Sequence, residues 1–252
     1  MNRVEWPSLA RALAWTLTAT FLLGTIALAV FNFVPLGTPP GPIEDFLERV
    51  VADFEYLQTI WPIEFAGTAL FALGFLALAG LGPTIGRLAD PDDGRRGIVG
   101  AAFVVAGALG AASQLIWIGV RPVATNPQYC DCGLLAEEIM ARLMILDSVS
   151  AAQVWLVAGA ILAAAAGTAV AGTLGREAGM PTGWLWLSWA ISALAVVAAV
   201  LQVLRLYPFN DLATILVGGI LLPIWALWLG ARAWDIWPAA EPADVEVAPA
   251  EI

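Results

Sequence analysis

The sequence predicts an all-α integral membrane bundle of six transmembrane helices, with an outer amphipathic helix between spans one and two. Three observations predict it. Six apolar stretches, at about 9–34, 60–82, 98–120, 149–172, 184–207 and 212–234, each exceed the roughly 20 residues a helix needs to cross about 30 Å of hydrocarbon. The composition is 60% hydrophobic and the mean hydropathy is +0.83, outside the range of soluble domains. Arginines and tryptophans gather at the ends of the stretches, as the positive-inside rule and interfacial belts require. The 252 residues then divide into one six-helix domain, 1–237, and an acidic tail, 238–252, whose Pro, Ala and Glu content reads as disordered.

Span one follows Arg3 and Arg11. Ala27-Leu28-Ala29 resembles a signal-peptide cleavage site, but the apolar run is longer than the usual ~7–15 residues, so an uncleaved anchor is expected. The segment 35–59 opens with Pro39-Pro40-Gly41-Pro42. Ile43, Phe46, Leu47, Val50, Val51, Phe54 and Leu57 then recur at helical spacing, with acidic residues opposite. This predicts an amphipathic helix that ends at Trp61-Pro62, where proline suits the start of span two. Its apolar face is either a lid on the bundle or a docking face for a membrane-protein partner.

Spans two and three are joined by the turn Asp90-Pro91-Asp92-Asp93-Gly94. Spans three and four carry small residues four apart: Gly107 and Ala111, then Gly159, Ala163, Gly167 and Ala171. Such stripes let helix backbones approach, within the monomer or at a partner. Between them, the outer loop 121–133 holds Cys130 and Cys132, and 134–148 reads as a helix leading into span four. A Cys-x-Cys disulfide closes a small, strained ring; free thiols, a loop staple and redox chemistry are the alternatives. Pro223 is expected to kink span six or free a carbonyl.

Orientation follows the arginines. With the N-terminus inside, Arg3, Arg11, Arg87, Arg95, Arg96, Arg176 and Arg232 lie on the inner side, and Arg49, Arg121, Arg142 and Arg205 lie on the outer half. Both termini are therefore expected in the cytoplasm, in the inner (plasma) membrane of a bacterial cell. Trp61 and Trp117 are expected at outer span ends, and Trp184, Trp186, Trp234 and Trp237 at inner ends.

Two absences narrow the chemistry. The chain has no histidine and, because all eleven positive charges are arginine, no lysine. Histidine-ligated haem or metal and lysine Schiff-base cofactors are excluded within this chain. No cofactor, no metal and no catalytic residue is therefore assigned. The net charge of −10 excludes a basic nucleic-acid surface.

Charged and amide side chains within spans are costly and need a partner or a purpose. They share one level in the outer third. Glu64 lies one turn into span two. Gln114 lies on the stripe through Gly100 and Gly107. Asp147 and Gln153 step along the start of span four. Gln202 and Arg205 are three apart on span five, and Asp211 opens span six. One reading is structural: Glu138 pairs locally with Arg142, Arg205 with Asp211, and hydrogen bonds lock the helix ends. The other is an outward-facing pocket for a small or amphiphilic ligand, lined by Glu64, Gln114, Asp147, Gln153, Gln202, Arg205 and Asp211, with Arg205 as its cation.

Met180-Pro181 followed by the Trp184–Trp189 cluster, and Leu222-Pro223-Ile224-Trp225 through Trp228-Leu229-Gly230, resemble a family of bacterial six-helix membrane proteins defined by a domain of unknown function (type 4386). The long first outer loop and the glutamate entering span two look similar as well. The resemblance implies the architecture and no activity. The sequence thus points to a non-enzymatic binding or sensing protein. The rival is an accessory subunit of a larger membrane complex, contacted through the acidic outer helix or the small-residue stripes. Third comes an intramembrane enzyme.

Overall fold

Each expected span is a helix. The computed structural model describes residues 6–33, 45–90, 92–125, 136–206 and 212–237. These hold α1 (Trp6–Phe33), α2 (Phe46–Gly86), α3 (Gly94–Thr125), α4 (Ala136–Glu177) and α5 (Thr182–Val203). The sixth span, Leu212–Ile236, holds a π-helical segment over Ile215–Leu221 and continues as α6 (Leu222–Ile236). All six are long and apolar enough to cross a bilayer, so this is a membrane protein. Successive helices run antiparallel. One end of the bundle, the N-terminal face, carries Trp6, Gly86, Gly94, Glu177, Thr182 and Ile236. The opposite face carries the other helix ends.

Two helices are longer than their spans. At 41 and 42 residues, α2 and α4 measure roughly 60 Å and project beyond the hydrocarbon. The amphipathic segment expected as a separate helix is the first part of α2, and Pro62 lies inside that helix rather than opening a new one. A proline deletes one ladder bond without forcing a break when packing holds the helix on both sides. That packing is visible. Val50 and Phe54 bury against Ile139 of α4, with Val51, Leu57, Leu143 and Leu146 around them. Phe46 stays exposed. The projecting part of α2 therefore rests on the projecting part of α4.

The helices form a ring in chain order. α1 packs on α2, α2 on α3, α3 on α4 and α4 on α5, while α6 returns to α1. Glycines set the closest approaches. A side chain at Gly107 would press on the Phe75 carbonyl and Ala79 of α2, and one at Gly167 would meet Phe103. The small-residue stripes are thus used inside the monomer. Gly100 has open space where a side chain would stand, although its carbonyl lies against Gly82 of α2.

The seam between α5 and the sixth span is sealed near the N-terminal face. Trp184 and Trp225 are both fully buried and stack with centroids 5.1 Å apart. Trp184 Nε1 donates to the Trp225 carbonyl at 3.2 Å, and Trp225 Nε1 donates to Ser188 Oγ at 2.8 Å. Trp184 and Trp237 are buried core residues, not the interfacial anchors expected. Trp186 and Trp234 do face outward.

Candidate functional site

Toward the opposite face, α2 and α3 bring a charged pair into the protein. Glu64 and Arg121 are 7% and 5% exposed, and Arg121 Nη1 makes an ion pair with Glu64 Oε1. Trp117 Nε1 donates to the same carboxylate oxygen at 2.9 Å. The guanidinium carbon lies 5.4 Å from the Trp117 ring centroid and 5.9 Å from that of Trp61. Both indoles thus present π-faces to the cation. Glu64 Oε2 is buried without a hydrogen-bond partner. Just beyond, Gln58 Nε2 donates to the Thr125 carbonyl at 2.6 Å and ties α2 to the end of α3.

Helical spacing puts the pair over a cavity. Glu64, Thr68, Phe71, Phe75 and Leu78 follow one face of α2, while Arg121, Trp117 and Gln114 follow one face of α3. Phe71, Phe75, Leu78 and Gln114 line a cavity of about 200 Å³ in the middle of the ring. Gln114 lies about 10 Å along α3 from Arg121. The remaining walls include Phe21 and Thr25 of α1, Val157, Ile161 and Ala164 of α4, Ala195 and Ala198 of α5, and Gly218 and Gly219 of the π-helical segment. Apolar groups dominate, with Thr25, Gln114, Thr168 and Thr214 as the polar side chains.

The floor is a hydroxyl network. Thr168 Oγ1 and Ser192 Oγ are 2.8 Å apart, and Ser192 Oγ donates to the Ala165 carbonyl at 2.8 Å. One turn further lies the Ser188–Trp225 bond. The π-helical segment shapes the opposite wall. Leu222 N–H reaches five residues back to the Val217 carbonyl, and Pro223 has no N–H to give to either glycine behind it. Pro223 is expected from the sequence to kink span six or free a carbonyl; the structure has a π-helical turn over Ile215–Leu221 just ahead of it.

The polar residues singled out in the sequence separate into different places. Glu64 is buried at the ion pair and Gln114 lines the cavity. Gln153 Nε2 donates to the Ser113 carbonyl at 3.4 Å, a bond between α4 and α3. Asp147 is exposed and Gln202 is half-buried. Arg205 is exposed beyond the end of α5 and forms no ion pair among the described residues. Asp211, Cys130 and Cys132, like the tail 238–252, lie outside the described residues. The expected cation, Arg205, is therefore not the one that meets Glu64; Arg121 is. Arg142 pairs with Glu138 at 3.0 Å, as their spacing indicated.

Arg121 was missed because span three was ended at residue 120, ahead of Pro122. The helix runs on to Thr125 with Pro122 inside it. A signal was present: Gln114, Trp117 and Arg121 are spaced i, i+3 and i+7, one helical face.

No protein-family model matches the chain, no curated protein matches it, and no solved structure matches its fold.

Proposed function

We propose that this is a non-enzymatic membrane protein that binds or senses a chain-bearing amphiphile, with the apolar part of the ligand in the central cavity. One observation carries the reading: an apolar-walled hollow of about 200 Å³ lies in the middle of a six-span ring. For scale, an apolar cavity of about 150 Å³ stays dry and takes up benzene. A ring or a short acyl segment suits the walls. The four polar side chains are too few for a sugar or an ion. We assign the route in to the seam between α5 and the π-helical segment, where Ile215 lines the hollow and is itself exposed.

The protein is assigned to a bacterial plasma membrane with the N-terminal face in the cytoplasm. Arg11, Arg87, Arg95, Arg96, Arg176 and Arg232 supply the basic side. On the opposite half, Arg121 and Arg142 are taken up by carboxylates. The accessory-subunit reading finds less support. Val50 and Phe54 of the projecting α2 segment are covered by α4, and the glycine stripes are occupied within the ring.

The test is labelling of the whole protein in bilayer nanodiscs with a photoreactive fatty acid. Cross-links are expected on α5 and on residues 215–221. Ala195→Leu, which fills the hollow, is expected to abolish them with the melting temperature kept. Equal labelling of both proteins, or labels confined to the outer surface, overturns the reading.

A further inference from the structure

A second site lies at the other end of the molecule. A groove between α1 and α6 near the N-terminal face is lined by Ser8, Arg11, Trp15 and Trp234. Arg11 projects from the second turn of α1. Its guanidinium carbon lies 4.9 Å from the Trp15 ring centroid, so the cation is held at the groove wall. The wall is itself fixed, because Trp15 lies against Gly230 of α6, where a Cβ would collide with the indole. Thr18 Oγ1 donates to the Pro223 carbonyl at 3.2 Å further along the same helix pair.

The charge of Arg11 meets the Trp15 ring and, among the described residues, no acid, whereas Arg95 meets Asp93 and Glu177 and Arg232 meets Asp235. The first turn of α1 adds the positive end of a helix dipole. The groove therefore offers an anion a cation, a helix N-terminus and two indoles.

The walls continue as apolar tracks. Trp15, Leu22 and Ile26 are exposed at i, i+7 and i+11 on α1, and Trp234, Leu227 and Ile224 recede by seven and ten on the sixth span. Both tracks run from the groove toward the middle of the bilayer. A soluble anion uses only the head of such a site. A molecule with a negative head and long chains uses all of it.

We propose that the Arg11 groove binds the phosphodiester headgroup of an anionic membrane phospholipid, with its acyl chains along the tracks of α1 and the sixth span. The site is separate from the central cavity and does not depend on what that cavity holds. Basic pockets between spans on one membrane face are a recurrent way of holding anionic lipids.

The experiment uses the full chain, delipidated in neutral detergent, with native mass spectrometry reading the lipid-bound fraction. Phosphatidylglycerol is titrated against phosphatidylcholine on the wild type, Arg11→Gln and Arg11→Lys. Phosphatidylglycerol is expected to bind the wild type preferentially. Arg11→Gln is expected to weaken it about five-fold, the worth of one arginine at an anionic membrane surface. Arg11→Lys is expected to keep part of that preference, and phosphatidylcholine is expected to be unaffected. Arg11 is exposed, so these variants are expected to fold. Equal binding of the two lipids, or an Arg11→Gln profile like the wild type, overturns the proposal. So does competition by millimolar inorganic phosphate, which would make the groove a general anion site.

Discussion

Arg121 and Glu64 meet from adjacent helices at one carboxylate oxygen, and Trp117 donates to that same oxygen. The second oxygen has no partner. Each charge thus depends on the other in a place with little water. Arg121→Ala is expected to destabilise the protein by about 3–5 kcal/mol in detergent, because it leaves a buried carboxylate alone. The double change Arg121→Met with Glu64→Leu is expected to restore most of that loss. Unfolding midpoints of the two variants and the wild type decide it; a loss below about 1 kcal/mol for Arg121→Ala would contradict burial of the pair.

Arg205 follows α5 with φ 55°, in the left-handed region. Its N–H bonds to the Gln202 carbonyl at 3.1 Å, and Leu206 N–H bonds to that of Leu201 at 3.1 Å. Gly179, at φ 99°, ends α4 in the same pattern. Glycine adopts this conformation without the Cβ penalty. Arg205→Gly is therefore expected to stabilise the protein by about 1 kcal/mol, and Gly179→Ala to destabilise it by a similar amount. Thermal melts of both test the sign. A destabilised Arg205→Gly would instead restore a paired role for the arginine.

Gly107 and Gly100 lie two turns apart on α3 yet differ in surroundings. Gly107→Ala is expected to force α2 and α3 apart at about 1–3 kcal/mol. Gly100→Ala is expected to be neutral or to gain up to about 1 kcal/mol of helix propensity. Equal effects in unfolding titrations would refute the packing assignment.

Asp93 caps α3. Its Oδ1 accepts the Arg95 N–H at 2.8 Å, and its carboxylate also takes the Arg95 guanidinium. The Arg95 side chain lowers the Asp93 pKa below its ordinary value. A lowered folded pKa gives stability that is present above the unfolded pKa and lost as pH falls through the folded one. Melting temperature is expected to fall on acidification through that window, and Asp93→Asn is expected to reduce the fall. An unchanged slope in Asp93→Asn would assign the acid sensitivity to other carboxylates.

Topology has a direct readout. If the N-terminal face is in the cytoplasm, Cys130 and Cys132, which separate α3 from α4 in the sequence, are expected outside the cell. A membrane-impermeant maleimide, added to intact cells after mild reduction, is expected to label both. Labelling that begins only on lysis would invert the assignment.

Apolar length and periodicity made the spans legible, because in a bilayer only a helix satisfies its own backbone over that distance. The same logic placed Val50 and Phe54 on a buried face. Continuity was harder to read. Pro62 reads as the start of a new helix and span three as ending at residue 120, yet neighbouring helices hold α2 and α3 intact through Pro62 and Pro122. That error moved Arg121 into a loop and left Arg205 to serve as the cation. The cavity was not legible, because it is the space left where Phe21, Phe75 and the π-helical segment meet. Only Gln114, by its place on a helix face, pointed toward it.

The wide turn at Ile215–Leu221 carries a further consequence. A π-helical stretch holds one residue more than the α-helix it interrupts. Rewound as α-helix, the span would turn its leading residues, Leu212–Thr214, by about 100° about the axis. Thr214 and Ile215 would then swing away from the hollow they border. The sixth span therefore stores one position of slack, and the winding of this segment sets which of its side chains border the hollow. Shortening Ile215–Leu221 by one residue is the change that would take up the slack.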